Sequence, residues 1–193
     1  MRRRYLGVVL IGLAVTSTVA CGGSERTATT ESTTAASEIP FDRAFIDAMV
    51  PHHEAAIVMA KAEKRAVLKQ PDLLRIAGDI VLTQQEEIDQ MRRWRRKWFG
   101  SSAIDPDGGD ALGLSEQEMG MQHAPDFSTA DDVDQTFASM MIEHHQGAVQ
   151  MARLALDRAQ HSQIKNLASA IIKAQEREIA VMKPHAEGMH HDS

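Results

Sequence analysis

The same stretch of helix-spaced sequence occurs twice in this chain, and that repetition restricts the fold more than any other feature. "FIDAMVPHHEAAIVMA" at 45–60 aligns with "FASMMIEHHQGAVQMA" at 137–152, at a constant offset of 92. The shared pairs are Phe45/Phe137, Met49/Met141, His52/His144, His53/His145, Ala56/Ala148, Met59/Met151 and Ala60/Ala152. A second pair of segments, "IAGDIVLTQQEEIDQM" at 76–91 and "LASAIIKAQEREIAVM" at 167–182, recurs at an offset of 91. It shares Ala77/Ala168, Ile80/Ile171, Gln84/Gln175, Glu87/Glu178, Ile88/Ile179 and Met91/Met182. Two segments that recur in order with one residue of slip indicate an internal duplication of a helical hairpin.

Apolar residues in all four segments follow helical spacing with few breakers. The pattern predicts helices over about 41–68, 72–98, 129–159 and 162–186. Pro71 and Gly100 act as stops, and Ser128 or Thr129 starts the third helix. Short links make each pair an antiparallel hairpin. The connection over about 100–128 is long, with "DPDGGD" as a loop. A short helix is expected at "LSEQEM", where Ser115 and Glu118 have capping-box spacing. No strand pattern competes. The expected class is all-α, a ferritin-like four-helix bundle built from a duplicated hairpin with one long crossover.

The bundle spans residues 39–187 of this reading. Before it, Arg2-Arg3-Arg4, the apolar run "LGVVLIGLAV" and small residues form a secretory signal over 1–20. That run is shorter than the roughly 20 apolar residues needed to span a bilayer. Cys21 is the only cysteine and stands where a lipobox cysteine would, followed by Gly22 and Gly23, although Thr18 replaces the usual leucine. Lipidation there would tether the protein to a membrane, and plain signal cleavage with an incidental thiol is the alternative. Residues 21–38, rich in Ser and Thr, read as a disordered tether, and 188–193 as a Met/His tail. Cleavage lowers Lys+Arg from 21 to 18 against 27 Asp+Glu, so the net charge moves from −6 to −9. An acidic, exported chain disfavours nucleic acid and attracts cations. A homo-oligomer is left open.

At about 100° per residue, Met49, His52, His53 and Met59 share an arc of about 120° with Phe45, Ala56 and Ala60, the width of a core-facing stripe. Met141, His144, His145 and Met151 repeat that placement. Gln84, Glu87, Ile88 and Met91 share one face of the second helix, and Gln175, Glu178, Ile179 and Met182 one face of the fourth, with His185 a turn beyond. Unpartnered polar groups on inward faces cost roughly 1–3 kcal/mol each. Four imidazoles, two glutamines and two carboxylates therefore form a network or hold something. Pro51 removes a backbone bond just before His52 and introduces a kink, whereas Glu143 occupies the equivalent place in the second half.

Ten methionines remain beyond Met1, most of them near a histidine, including "MGMQH" at 119–123 and the tail "GMHH". Thioether favours Cu(I), and imidazole takes Cu(I), Cu(II) or Zn(II). The candidate metal ligands are Met49, His52, His53, Met59, Met91, Met141, His144, His145, Met151, Met182 and His185. Against this, methionine at helical spacing is often flexible core filling, and core histidines can simply bond Glu87 and Glu178. "RRWRRKW" closes the second helix, with cations at its negative end and Trp94 and Trp98 spaced to pack. His161, at the turn of the second hairpin, reads as structural.

"FDRAFIDAMVPHHEAAIVMA", "QQEEIDQMRRWRRKW", "LSEQEM" and the second M..HH segment resemble domain-of-unknown-function family 305, which includes CopM-type periplasmic copper-binding proteins. The resemblance covers about residues 39–186. It implies a ferritin-like bundle, export and, for some members, copper binding and copper tolerance. By position it implies a Met/His face of Met49, His52, His53, Met59, Met141, His144, His145 and Met151. The expected function is an exported, lipid-anchored protein that sequesters or delivers copper, Cu(I) in preference to Cu(II) or zinc. The alternative is a structural or interaction bundle with core histidines and no metal. No enzymatic role is expected: a di-iron site needs two Glu-x-x-His motifs, and that spacing occurs only at Glu187–His190.

Overall fold

The computed structural model describes residues 39–66, 68–121, 127 and 130–188. The expectations for the signal, the tether, Cys21 and the tail from Met189 onward fall outside those residues. Four long helices carry the fold: α1 (Phe41–Ala66), α2 (Pro71–Phe99), α4 (Val133–Arg158) and α5 (Ser162–Ala186). A one-turn helix, α3 (Gly108–Leu112), lies in the crossover. Helices α1 and α2 form one hairpin and α4 and α5 the other, and α1 packs directly on α4. This is the expected four-helix arrangement, with no strand among the described residues. No described helix is long and apolar enough to cross a membrane.

Three helix ends have a clear local cause. Pro71 opens α2, where its missing N–H has no intrahelical partner to lose. Gly100 closes α2 in the left-handed region, φ 79°, a conformation that favours glycine. Helix α4 begins at Val133, because the Asp132 side chain accepts from the Gln135 N–H and caps it. That corrects the expected start at Ser128 or Thr129. Helix α1 continues unbroken through Pro51.

The crossover also departs from expectation. Its helix forms at Gly108–Leu112, within and just after the predicted "DPDGGD" loop. "LSEQEM" makes the capping-box bonds, Ser115 N–H and Oγ–H to Glu118 Oε2 at 2.9 and 2.7 Å, yet remains a turn. The difference lies in packing. Gly108 sits so close to α1 that a Cβ on it would lie 2.6 Å from the Asp47 backbone. A buried ion pair beside that contact fastens α2 to α1. Arg95 donates to both carboxylate oxygens of Asp47, at 2.8 and 3.2 Å, and Arg43 reaches from Asp47 to Asp105.

The duplication is also visible in how the hairpins lock together. Asp42, in the first turn of α1, accepts from the backbone N–H groups of Gln160 and His161 ahead of α5, at 2.9 and 2.8 Å. Asp134, its counterpart in α4, accepts from those of Lys69 and Gln70 ahead of α2, at 2.9 and 3.4 Å. The start of each half thus caps the helix entry of the other, and α1 and α4 run antiparallel across the middle. His161 also bonds Asp42 through its ring and stacks on Trp98 with centroids 3.8 Å apart, in line with the structural role expected for it.

Candidate metal centre

Helix α1 crosses α4 at the paired histidines. Small alanines on both stripes, Ala56 and Ala60 on α1 and Ala148 and Ala152 on α4, are fully buried, the first pair in one apolar cluster and the second in the other. Met49, His52, His53, Met59, Met141, His144, His145 and Met151 are all buried, the least so at 5% exposed. The His52 and His144 rings lie against each other, centroids 3.7 Å apart and planes tilted by 36°. His53 lies 6.2 Å from His52, and His145 lies 6.5 Å from His144. His52 and His144 are counterparts in the duplication, so their contact marks the relation between the halves.

The methionines divide accordingly. Met49, Met91 and Met151 belong to one packed apolar cluster, and Met141, Met182 and Met59 to the other. The duplication maps the first trio onto the second. Each cluster therefore draws thioethers from both halves. Met119, from the crossover, joins the first cluster alone.

Hydrogen bonding orients three of the four rings. His52 Nε2 lies 2.8 Å from the Met119 carbonyl. A carbonyl only accepts, so Nε2 carries the hydrogen and Nδ1 the lone pair. His53 Nε2–H donates to Glu87 Oε2 at 2.8 Å, and His145 Nε2–H to Glu178 Oε2 at 2.6 Å. What remains unpartnered is Nδ1 of His52, His53 and His145, both ring nitrogens of His144, and Oε1 of Gln84 and Gln175. Buried polar atoms are ordinarily satisfied, and here the exceptions concentrate at one place.

Electrostatics keep the central pair uncharged. Burial, reinforced by the neighbouring histidines, holds His52 well below its ordinary pKa despite the opposing bond to Met119. Burial first, then His145 and His53, pushes His144 down to about 3. Both rings are neutral at pH 7, the state in which imidazole binds metals. Among the described residues, no three His, Cys, Asp or Glu side chains are gathered into a ready-made site. A cation held here needs thioether sulfur beside imidazole nitrogen, a donor set that suits Cu(I).

His185 is buried one turn beyond Met182 and shares its Nε2 with Asp72 Oδ2 at 2.8 Å, linking the end of α5 to the start of α2. No ring contact joins it to the four central imidazoles among the described residues. Sequence reasoning noted Met119 in a Met/His-rich stretch without placing it in the ligand set. Its carbonyl reaches His52 because Gly147 of α4 leaves room. A Cβ at Gly147 would lie 1.9 Å from the Met119 oxygen, and one at Gly120, with φ 67°, would lie 2.5 Å from the Glu143 oxygen.

Comparison with known proteins agrees with the fold. CopM in its Cu(I)-bound form superimposes with a TM-score of 0.62 and 30% identity, over 78% of this chain and 98% of that one. CopM in an Ag-bound form gives 0.62 and 31% over the same shares. A DUF305 protein from Streptomyces coelicolor, described as a candidate secreted protein, gives 0.68 and 25%, over 79% of this chain and 98% of that one. A shorter match, 38% identical over 50 residues, links the chain to protein L153 of Acanthamoeba polyphaga mimivirus, covering 26% of this chain and about a third (32%) of that protein. The family model described as a domain of unknown function, DUF305, matches residues 15–95 and 42–186, and the chain belongs to that family.

Proposed function

We propose that this chain is an exported metal-binding protein whose cargo is copper, Cu(I) in preference to Cu(II) or zinc, held in the bundle core for sequestration or delivery. The observation that carries the reading is the set of unpartnered imidazole nitrogens on His52, His53, His144 and His145, on helices whose methionines fill two apolar clusters. His52, His53, His144 and His145 supply nitrogen. Met49, Met91 and Met151 on one side, and Met59, Met141 and Met182 on the other, supply sulfur. His185 is an outer candidate, reachable from Met182. Solved forms of CopM with Cu(I), Cu(II) and Ag bound support metal binding by a bundle of this kind. The N-terminal signal pattern and the Streptomyces coelicolor relative support export. Lipidation at Cys21 would hold the domain at the outer face of the membrane. The role is binding rather than catalysis.

Titrating the purified protein with Cu(I) under reducing conditions, against a chromophoric competitor, tests the proposal. Sub-micromolar binding that weakens in the H52A/H144A double variant is expected. Absence of such binding, or equal binding by the variant, contradicts it. The structural alternative is favoured by the His53–Glu87 and His145–Glu178 bonds. It leaves Nδ1 of His52, His53 and His145 without a partner, and under it added Cu(I) leaves the melting temperature unchanged.

A further inference from the structure

We propose that Glu87 and Glu178 are positioning residues of this centre: each fixes the imidazole it bonds, His53 or His145, with Nδ1 as the metal-binding nitrogen, and supplies negative charge behind it. The inference rests on the copper-binding reading above.

The geometry is the same in both halves. A carboxylate from the second helix of each hairpin takes the Nε2–H of a fully buried histidine from the first, at 2.8 Å for His53–Glu87 and 2.6 Å for His145–Glu178. A carboxylate accepts and does not donate, so the neutral ring carries its lone pair on Nδ1. That nitrogen has no partner in either half. The carboxylates sit at the rim, with side chains 14% and 21% exposed, while the rings are at 0%. Each hydrogen-bonded pair therefore runs from solvent to the core.

The duplication isolates these positions. Between α2 and α5 three nearby polar positions differ, Glu86 corresponding to Arg177, Asp89 to Ala180 and Gln90 to Val181, while the buried Gln84 and Gln175 match. The carboxylate is the same at 87 and 178, and so is the histidine it bonds. Surface charge in general would not require this match, but orienting two equivalent imidazoles does.

Chemistry gives the pairs a purpose. Carboxylate bonded to the far nitrogen of a ligating histidine fixes the tautomer and makes the near nitrogen more basic. It also offsets charge. Cu(I) held by neutral imidazole and thioether leaves a net positive charge in an apolar interior, which is strongly unfavourable without a counter-charge. Glu87 and Glu178 provide one anion per half, each a single imidazole ring away.

The test uses the full-length protein labelled with 15N-histidine and Ag(I) as a redox-inert probe of the same site. Long-range 1H–15N correlations report which ring nitrogen carries hydrogen and which one responds to metal. In the unmodified protein His53 and His145 should be Nε2–H tautomers, and Ag(I) should shift their Nδ1 signals. E87Q and E178Q preserve shape and remove charge. Each should weaken Ag(I) binding about 10–100-fold and admit the Nδ1–H tautomer at its own histidine only, with unchanged helical circular dichroism. Wild-type affinity and tautomers in both variants would overturn the inference while leaving copper binding intact. So would an Ag(I)-induced shift at Nε2 in the unmodified protein, a readout that needs no variant to fold. Failure of the unmodified protein to bind Ag(I) at all would overturn both this inference and the reading beneath it.

Discussion

Two imidazoles packed against each other in a buried interior resist protonation, and the consequence is measurable. His144 is pushed down to about 3 and His52 held well below 6.5. In the unfolded chain each takes up a proton near pH 6.5. The unfolded state therefore binds more protons than the folded one below about pH 6.5, so stability falls as pH drops through that window and is flat above it. The slope is about 1.4 kcal/mol per pH unit for each histidine. Denaturant midpoints at about pH 7 and about pH 4.5 should differ accordingly, and H144L should flatten the dependence. Equal midpoints in the unmodified protein would contradict the placement of these rings. Gly147 offers a second test at this scale. Its counterpart in the first half is Ala55, so the sequence displays the difference without its reason. The reason is a backbone from another element, the Met119 carbonyl. G147A should destabilise by about 1–3 kcal/mol and loosen the His52–Met119 bond, as read by thermal denaturation and the His52 Nε2 signal.

Helices and their inward faces were legible because period and duplication agreed: the four segments repeat the same apolar stripe, and the buried face places the four central histidines and their methionines together. Positions set by contacts between distant segments were not legible. Asp42 and Asp134 stand one repeat apart, yet nothing local shows that each caps the other hairpin's second helix. The start of α4 moved to Val133 because Asp132 caps it, and Ser115–Glu118 made its expected bonds without nucleating a helix. The crossover was hardest to read, since its path is set by glycines pressed against α1 and α4. The caps give an element-scale prediction. D134A removes acceptors for two backbone N–H groups and should destabilise by about 0.5–2 kcal/mol. D42A, which also loses the His161 ring, should cost more. Equal thermal stability of D134A and the unmodified protein would count against hairpins locked in this way.

For the molecule as a whole, the clustering of unpartnered nitrogens predicts that cargo and stability are linked. A ligand that binds only the folded state stabilises it by about 2.7 kcal/mol at a hundred times its dissociation constant. Cu(I) should therefore raise the melting temperature in a concentration-dependent way, and H52A/H144A should blunt the rise. Asp47–Arg95 provides a control that contributes no metal donor: D47A leaves Arg95 buried without its charge partner and should destabilise by about 3–5 kcal/mol with or without copper. The most direct measurement of the central claim is a crystal structure of the Cu(I)-loaded protein with the metal located by anomalous scattering. A copper peak is expected where α1 crosses α4, bonded to histidine nitrogen and to methionine sulfur. Copper found only on the surface or the C-terminal tail, with water filling the core between His52 and His144, would contradict it.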